Sequence, residues 1–196
     1  MKTSRSAPLL VTPASPSLQE TEDPWRFDAL GSVRSRDAVT LEALPRARYR
    51  SAFEIGGAIG VLTEKLQARC DALLSVEVSR LAQARAIHRC RHLPHVRFQV
   101  MAVPDEYPDQ QFDLTLVSER ACHWSPQELE RAQQRILEHL EPGGHLLLVH
   151  WTGQSRDMRL NGHDVHDSFR RLSPKNLRHL RGEMDGTWRL DLFERL

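Results

Sequence analysis

The sequence predicts an α/β protein with a doubly wound, mostly parallel seven-stranded sheet that ends in an antiparallel hairpin. Between residues 50 and 151, short apolar runs alternate with amphipathic stretches, the pattern of successive βαβ units. The first apolar run, Ala52-Phe53-Glu54-Ile55, turns through Gly56-Gly57-Ala58-Ile59-Gly60 into a helical stretch. Past residue 172 the alternation stops, and two strand-like runs, 177–184 and 187–195, meet at Asp185-Gly186, a hairpin signal.

The elements follow in order. Residues 1–22 are rich in Ser, Pro and Thr and read as a flexible tail, which leaves 23–196 as one domain. Trp25 and Phe27 are placed to dock back onto it. Residues 35–44 set Ala38, Leu41 and Leu44 at helical spacing, with Ser35 or Asp37 as cap and Pro45 as the stop. Strand one covers 50–55, a helix 59–70, and strand two 73–78. Ser79 caps a helix running to about residue 92, with Leu81, Ala84 and Ile87 or His88 on one face. Strand three is 96–100. Residues 103–111 hold prolines and acids and form a loop. Residues 112–118 are nearly all apolar, as expected of a central strand buried on both faces. Ser125 and Pro126 open a helix that turns Leu129, Ala132, Ile136, Leu137 and Leu140 inward; Pro142-Gly143-Gly144 ends it. Strand five is 145–151, and a helix over 162–172 leads to the hairpin.

Composition narrows the function classes. The formal net charge of +1 offers no argument for a nucleic-acid partner. Cys70, Cys90 and Cys122 are odd in number and lack C-x-x-C spacing, so neither a disulfide framework nor a zinc site is predicted, and a reducing cytoplasm fits. No apolar run reaches the ~18 residues of a membrane span, so no membrane partner is expected. The apolar stretch within 1–11 is too short for a secretory signal.

The glycine turn carries the chemistry. Glycines let a backbone approach a ligand closely, and the next helix offers unpaired N–H groups. Seventeen residues beyond Gly60, Glu77 ends the second apolar run. A carboxylate there suits a ribose diol, because it accepts both hydroxyl hydrogens. A dinucleotide site would read G-x-G-x-x-G, and a triphosphate loop would need Gly-Lys-Ser/Thr. Instead Glu54 stands two positions before Gly56. It would repel a pyrophosphate but welcome the cationic methionine end of S-adenosylmethionine.

Residues 23–196 resemble a class I S-adenosylmethionine-dependent methyltransferase of Rossmann-like fold. More narrowly they are similar to the nodulation-type (NodS-like) N-methyltransferases, whose namesake acts on deacetylated chitooligosaccharide. The resemblance lies in Asp-Pro-Trp-Arg-Phe at 23–27, Leu-Pro-Arg-Ala-Arg-Tyr-Arg at 44–50 and Phe-Glu-Ile-Gly-Gly-Ala-Ile-Gly-Val-Leu-Thr-Glu-Lys-Leu at 53–66. It continues in Phe-Asp-Leu-Thr-Leu-Val-Ser-Glu at 112–119, Leu-Glu-Pro-Gly-Gly-His-Leu at 140–146 and Trp-Arg-Leu-Asp-Leu-Phe-Glu-Arg at 188–195. It implies that Glu54, Gly56, Gly57 and Gly60 wrap the methionine part of the cofactor. Glu77 with Val78 then takes the ribose, Met101, Ala102 and Val103 line the adenine, and Ser118 and Glu119 lie beneath the reacting methyl.

Two departures stand out. The family usually has Asp where this chain has Ala102. Arg120-Ala121-Cys122-His123-Trp124 replaces an aliphatic residue and paired tyrosines that line the methyl acceptor. The expected function is methyl transfer to a small polar metabolite, foremost the amine of a sugar, with S-adenosyl-L-methionine as cofactor. A non-catalytic accessory protein is the alternative. Such a transfer needs alignment and loss of a proton from the acceptor, and no metal. Glu119 and His150 are the predicted bases, with His123 also a candidate. His123, Trp124 and Trp151 are predicted to line the acceptor. His163 and His166 flank Asp164 with no third ligand assured, so no metal site is predicted.

Overall fold

The computed structural model describes residues 31–196. The 1–22 tail and the docking expected of Trp25 and Phe27 lie outside the described residues. The elements are α1 (Gly31–Glu42), β1 (Ala52–Ile55), α2 (Val61–Leu66) with a 3-10 turn (Gln67–Arg69), β2 (Leu73–Glu77), α3 (Arg80–Arg89) and β3 (Val96–Val100). They continue with β4 (Phe112–Ser118), a 3-10 turn (Ala121–His123), α4 (Pro126–His139), β5 (Leu140–Trp151), α5 (Gly162–Arg170), β6 (Leu177–Asp185) and β7 (Trp188–Arg195).

The seven strands form one sheet in the order β3-β2-β1-β4-β5-β7-β6. β1 to β5 run parallel, and β7 lies antiparallel between β5 and β6. The chain winds outward from β1 to β3 and then crosses back to β4. The switch point is therefore between β1 and β4, where open α/β sheets hold their ligands at the strands' C-terminal ends. Every residue of β4 is buried, as its apolar run predicts.

Strand parity sorts the core into two layers. Leu114, Leu116, Leu147 and Val149 face Leu62 and Leu66 of α2 and the end of α1. Leu146, Leu148, Val117 and Phe193 face Leu129, Ala132 and Ile136 of α4 and Val165 and Phe169 of α5. α4 starts where Ser125 Oγ accepts from Glu128 N at 3.2 Å and Glu128 Oε2 accepts from Ser125 N at 2.6 Å. Asn161 and Asp164 build the same reciprocal cap on α5.

Some boundaries differ from the sequence reading. α4 stops at His139, and Leu140 is already extended, so its side chain is buried on β5 rather than on the helix. The inner face of α3 is Ala82, Gln83 and Ala86, whereas Leu81 and Ile87 are exposed. The cause is the glycine turn. A Cβ on Gly60 would lie 3.0 Å from the Ala86 Cα, so α3 packs too close there for any but small side chains. The hairpin closes at Gly186, with φ +56°.

Candidate functional site

Glu54 sits in the middle of β1, fully buried. Its Oε2 accepts from Thr63 Oγ1 at 2.5 Å and from Ser75 Oγ at 2.7 Å. Ser75 is its direct partner in the parallel register of β1 and β2. The other oxygen, Oε1, is buried with no hydrogen-bond partner among the described residues. Burial pushes this carboxyl above the usual range, and the two hydroxyls only partly counter it. Gly57 closes over the group, since a Cβ there would meet Ser75 Oγ at 2.0 Å and Glu54 Oε2 at 3.2 Å. Gly56, with φ +90°, lies against the end of β4, where a Cβ would meet the Ser118 carbonyl at 2.3 Å. Ala58 takes a left-handed conformation without being glycine, with φ 47°, a strained state found at ligand clamps.

At the end of β2, Glu77 Oε1 accepts from Val78 N at 2.8 Å and Ser79 N at 3.0 Å. Its Oε2 receives only a long bond, 3.3 Å from Ala58 N, and so retains acceptor capacity toward the glycine turn. Met101 N donates to the Glu77 carbonyl at 3.1 Å, which brings the segment after β3 beside this carboxylate. Ala102 is exposed, and its N–H is held by Glu106 Oε2 at 2.7 Å. Val103 is buried, and its carbonyl accepts from Trp124 Nε1 at 2.8 Å.

The rim of β4 and β5 carries the remaining groups. Ser118 is buried under Gly56. Glu119 follows with φ 55°, again left-handed. Its Oε1 accepts from Arg36 of α1 at 2.9 Å and its Oε2 from the Trp151 backbone N at 2.9 Å. Burial raises the Glu119 carboxyl, against the opposing pull of Arg36 and of the Trp151 N–H. Trp151 is exposed, and His123 is half-buried with Nδ1 3.2 Å from the Asp157 carbonyl.

Two predicted site residues turn away from the mouth. Trp124 is in the core, 1% exposed, where its indole ties down Val103. The 3-10 turn over Ala121–His123 rotates it inward, so it supports the 101–103 segment rather than lining the acceptor. His150 is fully buried because its parity matches Leu146 and Leu148, on the side covered by α5. Its Nδ1 lies 3.1 Å from His166 Nε2. His166 is thus engaged within the fold, and no His/Cys/Asp/Glu group among the described residues is arranged to hold a metal. Burial pushes the Cys122 thiol up to about 12, which leaves it unreactive.

Sequence reasoning missed Thr63, Ser75 and Arg120. Ser75 was legible as the one hydroxyl inside Leu73-Leu74-Ser75-Val76, since a polar group in a buried strand needs a partner. Arg120 rises beside Gly56, half-buried, and its carbonyl accepts from His123 N at 3.1 Å. Desolvation lowers its pKa, while Glu77 and Glu128 favour its charge.

The set fits S-adenosylmethionine. A cationic ammonium group would satisfy the orphaned Glu54 Oε1, the glycine turn has no Cβ to block approach, and Glu77 keeps an acceptor for a ribose hydroxyl.

Comparison with known proteins agrees with this geometry. The family model for nodulation protein S (NodS) matches residues 17–163. Nodulation protein S of Rhizobium tropici is 33% identical over 138 residues, which cover 69% of this chain and 56% of that protein. The chain spans about half the length of the curated relatives it matches. A crystal structure of a candidate methyltransferase from Pseudomonas syringae is 34% identical with a TM-score of 0.73, covering 83% of this chain and 97% of that one. The fold also matches the N-methyltransferase NodS of Bradyrhizobium japonicum WM9, solved with S-adenosyl-L-homocysteine. That match has a TM-score of 0.80 at 23% identity and covers 91% of this chain and 96% of that one.

Proposed function

The chain belongs to the nodulation protein S family of class I S-adenosylmethionine-dependent methyltransferases, and from that premise we propose that it binds S-adenosylmethionine and methylates the amine of a small polar metabolite such as a sugar. The carrying observation is Glu54, whose carboxylate is clamped on one oxygen by Thr63 and Ser75 and left bare on the other beneath the glycine turn. A buried acceptor in that state calls for a cationic ligand.

When bound, the cofactor supplies an electrophilic methyl on a sulfonium. Glu54 and Glu77 would hold it through its ammonium and ribose, and Met101, Ala102 and Val103 would line its adenine. An amine must be neutral to attack, so a group at the rim must be able to hold a proton. Glu119 suits this, because burial raises its carboxyl while Arg36 and the Trp151 N–H fix its direction. The face of Trp151 can attract the cationic product.

A second reading, a cofactor-binding accessory protein, is favoured by two observations. Both oxygens of Glu119 already accept hydrogen bonds, and the Ala102 N–H is already held by Glu106. Calorimetry with S-adenosylhomocysteine, followed by a methyl-transfer screen over amines, amino sugars and hydroxylated metabolites, tests both. Binding with methylation of amines supports the enzyme; binding with no acceptor methylated favours the accessory reading; no binding overturns both.

A further inference from the structure

Three successive residues of the glycine turn each lie against a different charged side chain. A Cβ on Gly56 would sit 2.9 Å from Arg120 Cβ, and one on Gly57 would sit 3.2 Å from Glu54 Oε2. Ala58 N donates to Glu77 Oε2 at 3.3 Å. Successive Cα atoms are about 3.8 Å apart, so one guanidinium and two carboxylates are rooted around a single short turn.

The two carboxylates have their complements in the cofactor, an ammonium and a ribose hydroxyl. Arg120 has none so far. It is half-buried, and its guanidinium makes no hydrogen bond or ion pair among the described residues. Desolvation lowers its pKa and Glu77 and Glu128 counter this, so the group stays cationic. A cation drawn into a cleft with its donors unmet calls for an anion.

The acids of the rim are committed elsewhere. Glu128 Oε2 accepts from Ser125 N at 2.6 Å and from Arg159 at 3.2 Å. Glu119 is held by Arg36 and the Trp151 N–H. Glu77 Oε1 accepts from Val78 N and Ser79 N. The rim's other guanidinium near the turn, Arg36, is itself engaged with Glu119 at 2.9 Å and Asp37 at 3.4 Å.

S-adenosylmethionine carries two cationic centres, the sulfonium and the ammonium, and one anion, a carboxylate on the same carbon as the ammonium. Arg120 would repel the first two unless it met the third. With the ammonium on Glu54 Oε1, the carboxylate stays within reach of the same turn. Gly56 matters for this, because a side chain there would push Arg120 off the turn.

We propose that Arg120 binds the carboxylate of the cofactor's methionine end, so that Glu54 and Arg120 recognise its ammonium and carboxylate as a pair across the glycine turn. The inference rests on the cofactor reading above. It makes the site selective for the intact amino acid over a decarboxylated cofactor. The resemblance implies an aliphatic residue at this position, so the guanidinium is a feature of this chain.

Calorimetry with two ligands tests the pairing without any turnover. S-adenosylhomocysteine carries the carboxylate; its decarboxylated analogue keeps the ammonium and the ribose. Wild type should bind the analogue about tenfold or more weakly than S-adenosylhomocysteine, as loss of a charge-assisted pair requires. Arg120→Leu should bind S-adenosylhomocysteine weaker than wild type by a similar factor, yet bind the analogue no more weakly than wild type does. Arg120→Lys, which keeps the charge but not the planar fork, should fall between. Thermal midpoints identify a variant that simply unfolds, and the two-ligand comparison on wild type needs no variant. Equal binding of both ligands by wild type overturns the proposal. So does an Arg120→Leu protein that holds S-adenosylhomocysteine as tightly as wild type. If Arg120→Leu weakens both ligands alike, Arg120 supports the turn or Glu77 instead, and the proposal falls. If wild type binds neither ligand, the cofactor reading itself falls and takes the proposal with it.

Discussion

Arg36 of α1 donates to Glu119 Oε1 at 2.9 Å, across 83 positions of sequence. The contact ties the first described helix to the rim of β4. Asp37 beside it accepts from Lys65 of α2 at 2.6 Å, so α1 is pinned at two points around the mouth.

Removing the pin should expose the role of Glu119. Arg36→Gln removes the main charge that opposes the effect of burial on this carboxyl, so Glu119 will hold its proton to higher pH and the acidic limb of the pH–rate profile will move upward. The stability cost should be only about 0.5–1.5 kcal/mol, since both partners are partly solvated. Glu119→Gln should lower turnover far more than S-adenosylhomocysteine affinity. A pH–rate profile of Arg36→Gln that superimposes on wild type would remove Glu119 from the proton chemistry.

The raised carboxyl of Glu54 makes cofactor affinity depend on pH. Its folded pKa lies above its unfolded one, so between the two the native state holds a proton that the unfolded state has lost. Without cofactor, this group's contribution to stability therefore falls as pH rises through that window. The cofactor ammonium prefers the ionised form, so affinity should rise over the same window, by up to about tenfold per pH unit below the folded pKa. Calorimetry from pH 5 to 8 in buffers of differing ionisation enthalpy should show proton release on binding at the acid end. Thr63→Val, which deletes a donor to Oε2, should move the dependence to higher pH.

Gly57 and Ser75 should behave as a coupled pair. Gly57→Ala drives a methyl to 2.0 Å from Ser75 Oγ, which should cost about 1–3 kcal/mol and most of the cofactor affinity. Adding Ser75→Ala removes the clashing oxygen and should recover part of the stability, though not the affinity, because Glu54 then loses a hydrogen bond. A double-mutant cycle on thermal or urea unfolding checks this, and strict additivity would contradict it.

Ala102→Asp introduces the carboxylate that the family resemblance implies at this position. Here Glu106 already sits 2.7 Å from the Ala102 N–H, so a new carboxylate would meet a like charge. Ala102→Asp alone should tighten S-adenosylhomocysteine binding by less than about twofold. Ala102→Asp with Glu106→Gln should gain up to about tenfold, the worth of one good hydrogen bond to the adenine amino group. Titration of the two variants side by side decides it.

How the residues around the glycine turn sit together was largely legible. Glu54, Gly56, Gly57, Gly60 and Glu77 lie on one strand, one turn and the end of the adjacent strand, so their spacing along the chain nearly equals their arrangement in space. The acceptor half was not. Trp124, read as a mouth residue, is core because a 3-10 turn follows β4, and one turn of backbone reverses the direction of a side chain. α3 buries Ala82 and Ala86 rather than Leu81 and Ile87 because Gly60 brings the helix close to the turn, a distance that hydrophobic periodicity does not register.

The sequence by itself determined the strand and helix alternation, the glycine turn with its two acids, the buried centre of the sheet and the closing hairpin. These follow from steric preferences and burial patterns that act between residues a few positions apart. Only the tertiary structure decided that Arg36 reaches Glu119, that Ser75 and Thr63 clamp Glu54, and that His150 points away from the mouth into a line with His166 and Asp191. Those contacts depend on the order β3-β2-β1-β4-β5-β7-β6 and on how closely glycines let helices approach the sheet. Strand order is a property of how whole layers bury their apolar faces against one another, and no local spacing encodes it.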